Sequence, residues 1–138
     1  MTWEEFHRRN AAPGEHWDEV SERVIGAAIE VHRVVGPGMT EDMYENALAL
    51  EFELRGIRYN RQVEIAVEYK GKQIGKTRLD FLVEGRLIVE LKACERLTDV
   101  HRAQCICYLR AAGQRVALLI NFNVPVLKDG IKRVILSR

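Results

Sequence analysis

The stretch TRLDFLVEGRLIVELKAC, residues 77–94, decides the fold: two apolar segments flank a turn centred on Gly85, and each segment carries charge, as Asp80, Glu90 and Lys92. Strand side chains alternate between faces. Leu79, Phe81 and Val83 are therefore expected on one side of the first segment and Arg78, Asp80 and Leu82 on the other. In the second segment Leu87, Val89 and Leu91 share a side, with Ile88, Glu90 and Lys92 opposite. A single core requires the apolar faces to coincide, so Asp80, Glu90 and Lys92 converge on the other side. A two-residue turn at Glu84-Gly85 would set Asp80 against Val89 and split the apolar faces. A three-residue loop, Glu84 to Arg86, sets Asp80 opposite Glu90, and that register is predicted.

Two readings of these charges are open. Asp80 and Glu90 are either solvated residues on an outward sheet face, with Lys92 as a cross-strand partner, or a pair whose mutual repulsion is relieved by a divalent cation between them.

The rest of the chain supplies the frame. With 138 residues, 47% hydrophobic and 30% charged, it is expected to be one soluble domain, residues 17–138, behind an N-terminal extension, residues 1–16, that lacks periodicity. No apolar run is long enough to span a bilayer and the polar N-terminus does not resemble a signal peptide, so the expected location is cytoplasmic. A net charge of +1 advertises no global field for nucleic acid. Cys94, Cys105 and Cys107 make an odd count, suited to a reducing compartment and short of the four ligands a structural zinc or cluster site takes.

Trp17, Val20, Val24, Ala28, Val31 and Val35 predict a helix ended by Gly36-Pro37-Gly38; those glycines serve a helix-to-helix turn better than a phosphate cradle. Thr40 caps a second helix, with Met43, Ala47, Leu50 and Leu54 expected as its buried stripe before Gly56. A strand through Val63, Ile65 and Val67 turns at Lys70-Gly71-Lys72 into a second, Ile74 to Val83, and a third runs from Leu87 to Cys94. Thr98 or Asp99 opens a helix that Gly113 closes. Val116 to Ile120 reads as a strand covered on both faces, with a last strand around Lys132 to Leu136.

Leu79-Asp80, nine residues, then Glu90-Leu91-Lys92 resembles the Asp...Glu-x-Lys signature of the PD-(D/E)XK nuclease superfamily, with Leu79 where some members have proline. Gln104 and Tyr108 resemble the Gln-x-x-x-Tyr motif of its RecB-like branch, and His101 precedes them by one turn. IGAAIEVHRVVGPGMTEDMYENAL and INFNVPVLKDGIKR are similar to a small bacterial family named for its GxxExxY motif, here Gly38, Glu41 and Tyr44; the resemblance covers residues 18 to 136.

The resemblance implies an α/β, restriction-endonuclease-like αβββαβ core with an additional N-terminal helix. It implies Asp80, Glu90 and the Leu91 carbonyl as ligands of Mg²⁺ or Mn²⁺, Glu41 as a direct or water-mediated one, and Lys92 as the group that orients the attacking water. Gln104, Tyr108, His101 and Tyr44 would support those residues or a substrate phosphate. Its expected function is a hydrolase, a metal-dependent nuclease acting on DNA or RNA; the alternative is an inactive nuclease-fold module that binds nucleic acid or a protein. Arg78, Lys128, Lys132 and Arg133 are candidate contacts to a nucleic-acid backbone. A second copy of the chain is a further candidate partner, since small domains often grip a duplex as dimers.

Overall fold

The computed structural model describes residues 18–136, so the extension at 1–16 and the expected stripe residue Trp17 lie outside the described residues. Helix α1 spans Glu19–Val35 and α2 Glu41–Arg55; then come strands β1 (Tyr59–Tyr69), β2 (Lys72–Val83) and β3 (Leu87–Lys92), helix α3 (Asp99–Ala112), β4 (Val116–Asn121), a short 3₁₀ turn (Leu127–Gly130) and β5 (Ile131–Ile135). The strands form one sheet in the order β1-β2-β3-β4-β5. All neighbours are antiparallel except β3 and β4. A parallel pair needs a crossover, and α3 provides it.

Local chemistry explains the boundaries. The side chains of Asp18, Thr40 and Thr98 accept hydrogen bonds from the amides of Ser21, Met43 and His101, capping the three helices. Gly56 and Gly113 end α2 and α3 in the left-handed conformation that a residue with a Cβ adopts at a cost. In the loop after β2, Glu84 and Gly85 both have positive φ; the Glu84 carboxylate, bonded to the Arg58 amide and guanidinium, pins that turn.

The sheet separates two apolar layers. Helices α1 and α2 cover one face, where Val24, Ile25, Tyr44, Leu48 and Phe52 pack against Phe81, Val89, Leu91, Leu118 and Phe122. Helix α3 covers the other, with Cys105 and Leu109 against Leu79, Ile88, Ala117 and Leu119. Strand β4 thus contributes to both layers, as a doubly covered strand does.

Two expectations about faces are corrected. Met43, Leu50 and Leu54 are 53%, 56% and 72% exposed, and the inward face of α2 is Tyr44, Glu45, Leu48, Ala49 and Phe52. Both sets recur at three- and four-residue steps. The set with two aromatic rings faces the sheet, where Tyr44 stacks on Phe122 at 4.5 Å and Phe52 meets Phe81 edge-on at 5.3 Å. Leu79 also departs from the alternation: it belongs to the α3 layer, whereas Phe81 and Val83 belong to the opposite one. Between them, Asp80 lies opposite Gln62, whose backbone is left-handed with φ 53, and the pairing Arg61↔Phe81 then Val63↔Leu79 steps over this position. The pleat is interrupted at Asp80.

Candidate metal centre

The register of the charged hairpin is the one expected. Val83 pairs with Leu87, Leu82 with Ile88 and Phe81 with Val89, which leaves Glu84 to Arg86 as a three-residue loop and brings Asp80 level with Glu90. Beyond Phe81 side chains replace the backbone ladder. Glu90 Oε1 accepts from the Asp80 amide at 3.0 Å, and Asp80 Oδ2 accepts from the Leu91 amide at 2.8 Å. Strand β3 continues beside β4 as far as Lys92 opposite Asn121. The two carboxyl groups therefore sit where β2 parts from β3, each fixed by the other strand's main chain.

Their charges are in conflict. Glu90 is only 4% exposed; burial, and next the negative charge of Asp80, push its carboxyl up to about 8. Asp80 is also raised, chiefly by burial, against the pull of the Leu91 amide. A proton on one carboxyl is accepted by the other. Glu41, at the first turn of α2, is raised by burial, opposed by the charge of Lys92 and reinforced by that of Asp80, which places it within electrostatic reach of both. Lys92 Nζ donates to Gln104 Oε1 at 3.2 Å, joining the end of β3 to α3. Asp80, Glu90, Lys92, Glu41 and Gln104 thus surround one place in the fold.

A residue that sequence reasoning missed adjoins them. Glu45, one helical turn after Glu41 and buried, accepts from Arg61 Nε at 2.7 Å and Gln62 Nε2 at 2.5 Å; the same Gln62 nitrogen reaches Asp80 Oδ1 at 3.4 Å. Its charge is one of those that raise Asp80. The signal was an acidic residue at position 45 on the stripe shared by Leu48 and Phe52, a place where a buried charge needs a partner.

Other expected residues do different work. Tyr44 is fully buried, donates to the Gly36 carbonyl at 2.6 Å and accepts from the Met39 amide at 3.1 Å, so it closes the glycine turn. His101 Nδ1 accepts from the Thr98 amide at 3.0 Å in a capping box. Tyr108 is half-buried and packs on the α3 layer. Arg78 lies exposed on β2 and Lys128 exposed in the 3₁₀ turn, while Lys132 pairs with Leu119 and Arg133 with Leu118, residues of opposite layers. Lys132 and Arg133 therefore face opposite sides of the sheet. Arg55, Arg58 and Arg61 are engaged by Glu51, Glu84 and Glu45.

The oxygen-only pair of carboxylates suits a hard divalent cation, whose charge would offset the burial and, next, the repulsion from Asp80 that hold Glu90 protonated. Among the described residues no group of three His, Cys, Asp or Glu side chains is close enough to hold an ion. Further positions would then fall to a backbone carbonyl, water and substrate oxygens, as hydrated Mg²⁺-type sites allow.

The sequence model of the PD-(D/E)XK nuclease superfamily matches residues 18–134, and the chain belongs to that superfamily. The five-stranded sheet flanked by helices, with the N-terminal helix first, is consistent with its restriction-endonuclease-like fold. Membership points to nuclease activity, a nucleic-acid substrate and a divalent metal, which these nucleases generally use. No curated protein matches. A solved structure described as "Crystal structure of SSO0001" is similar over 97% of this chain and 75% of that chain, at 16% identity and a TM-score of 0.44. Among the described residues no helix is long and apolar enough to cross a membrane.

Proposed function

We propose that the chain is a Mg²⁺- or Mn²⁺-dependent phosphodiesterase that hydrolyses DNA or RNA in the cytoplasm, with residues 17–138 as its one catalytic domain. We place it in the bacterial group marked by Gly38, Glu41 and Tyr44, within the RecB-like branch marked by Gln104 and Tyr108. The observation that carries the reading is the reciprocal capture of Asp80 and Glu90 by each other's strand, which holds two repelling carboxyl groups in place beside a lysine. A scaffold has no need of that cost; a cation site does.

Asp80, Glu90 and the Leu91 carbonyl would hold the ion, with Glu41 reaching it through a bound water. When bound, the cation lowers the pKa of a water and offsets negative charge at phosphorus. Glu90 gives up its proton to become a ligand, so occupancy falls as the pH drops below about 8. Lys92, steadied by Gln104, positions the attacking water and stabilises charge that builds on the phosphoryl oxygens. Arg78, Lys128 and Lys132 are the side chains best exposed to meet flanking phosphates.

Cleavage of labelled single- and double-stranded DNA and RNA, with Mn²⁺, Mg²⁺ or EDTA, tests this. The wild type cleaves at least one substrate only with metal, and Asp80→Asn or Lys92→Ala loses roughly 10²-fold or more of the rate. A wild type that binds nucleic acid yet cleaves none of the four is a non-catalytic module.

A further inference from the structure

Strands β1 and β2 run well past the rest of the sheet. Strand β3 pairs with β2 only from Phe81 to Val83, so Lys72 to Leu79 have β1 on one side and no strand on the other. At about 3.3 Å per residue, those eight residues carry a two-stranded ribbon about 25 Å beyond the metal centre. Its root is braced, since Val63 and Ile65 of β1 pack on the α3 layer.

The outer face and the tip of the ribbon are exposed and cationic. From Val63 to Leu79 it carries Lys70, Lys72, Lys76 and Arg78 against Glu64 and Glu68, an excess larger than the +1 of the whole chain. Across the ribbon Arg78 pairs with Glu64 and Lys76 with Ala66, which turns both cations away from the face that Val63 and Ile65 present to α3. Among the described residues no ion pair or hydrogen bond engages the Arg78 or Lys72 side chain. Lys76 meets Glu64 at 3.0 Å in an exposed pair, a weak kind of contact. The tip adds apolar surface: Tyr69 is 61% and Ile74 66% exposed, and Lys70 Nζ lies 5.3 Å from the Tyr69 ring centre.

We propose that this ribbon lies in the major groove of double-stranded DNA and leads the duplex to the carboxylate pair. The inference rests on the reading of Asp80 and Glu90 as a nuclease centre, and names its substrate. Charge supplies the attraction, because lysines that neutralise phosphates release counterions whatever the sequence. Shape supplies the choice. The major groove of B-form DNA is about 12 Å wide and admits a two-stranded ribbon, with Tyr69 and Ile74 against base edges and thymine methyl groups. Double-stranded RNA has a deep, narrow major groove closed to side chains, and a single strand offers no groove. Arg78 is two residues, about 7 Å, along the strand from Asp80, so a backbone gripped by Arg78 and Lys76 passes the metal centre.

Fluorescence anisotropy of labelled DNA and RNA duplexes of about 20 base pairs, and of one DNA strand, reads binding without cleavage in EDTA at about 50 mM salt. The wild type binds the DNA duplex with a Kd below about 10 µM, at least about fivefold tighter than the RNA duplex or the single strand. Lys70→Gln with Lys72→Gln weakens it at least about tenfold and lowers the slope of log affinity against log salt by about two, with an unchanged circular dichroism spectrum. Arg55→Gln with Arg86→Gln removes the same charge at the opposite end of β2 and has less than about a third of that effect. No duplex binding at ~100 µM overturns the proposal; it is the result expected if the lysines only guard free strand edges. Equal or tighter binding of the RNA duplex or single strand, a ribbon variant that binds like the wild type, or equal losses in the two variants overturn it as well. Cleavage is scored separately with Mn²⁺. A chain that binds the duplex through its ribbon yet cuts nothing refutes the nuclease reading and leaves the DNA contact standing.

Discussion

Replacing Glu90 with glutamine removes one of two competing charges while keeping the shape that holds them. The substituted side chain retains an oxygen to accept from the Asp80 amide, and its own N–H can face the Asp80 carboxylate as the protonated glutamic acid does. In the metal-free wild type the Glu90 carboxyl rises from 4.5 to about 8, so the folded state binds a proton that the unfolded state releases. The sign follows: this contribution is complete below about pH 4.5 and is lost as the pH climbs towards 8. At about 1.4 kcal/mol per unit the loss is ~5 kcal/mol at most, and the coupling to Asp80 brings it to ~2–4 kcal/mol. That corresponds to roughly 10 °C in Tm for a chain of this size. Thermal melts from pH 5 to 9 in EDTA measure it. Wild-type stability should fall across this range, Glu90→Gln should be flat and more stable at pH 8, and added Mn²⁺ should restore the wild type alone. Parallel pH slopes for the two proteins, or a Glu90→Gln protein less stable at pH 8 without metal, would refute the electrostatic account.

Three further substitutions probe the frame around the site. A Cβ on Gly130 would lie 2.2 Å from the Asn121 backbone oxygen, so Gly130→Ala should cost ~2–4 kcal/mol in urea unfolding; a loss under ~0.5 kcal/mol would show that the turn yields. Tyr44→Phe strips a donor from the Gly36 carbonyl and an acceptor from the Met39 amide, and should lower stability by ~1–2 kcal/mol while leaving metal affinity within about twofold. Glu45→Ala leaves Arg61 and Gln62 without their shared acceptor and should cost ~1–3 kcal/mol; a cleavage rate reduced more than stability explains would mark Gln62 as a positioning residue for Asp80.

The order of elements and the register of the charged hairpin were legible because both rest on short-range rules. Caps and glycines mark helix ends, and the length of the Glu84–Arg86 loop fixes which residues meet across β2 and β3. What escaped was three-dimensional choice. Helix α2 carries two apolar stripes of similar period, and only the ring partners Phe81 and Phe122, distant in sequence, decide which faces inward. Leu79 changes layer because Asp80 and Gln62 interrupt the pleat, a break that strict alternation cannot express. Glu45 was hidden for a related reason, since its partners Arg61 and Gln62 come from β1. The INFN and KDG segments, read from the resemblance as a family signature, prove to be joinery. Buried Asn121 bonds both backbone groups of Cys94, and Gly130 passes against its main chain, so the ends of β3 and β4 are locked together beside Lys92.

Calorimetric titration of Mn²⁺ into the wild type and an Asp80→Asn, Glu90→Gln double variant at pH 7, repeated in buffers of different ionisation enthalpy, tests the central claim most directly. The account predicts one binding event in the wild type that releases about one proton, because Glu90 must ionise to bind, and none in the variant. Binding that releases no proton, or that survives in the variant, would contradict a metal centre built on Asp80 and Glu90.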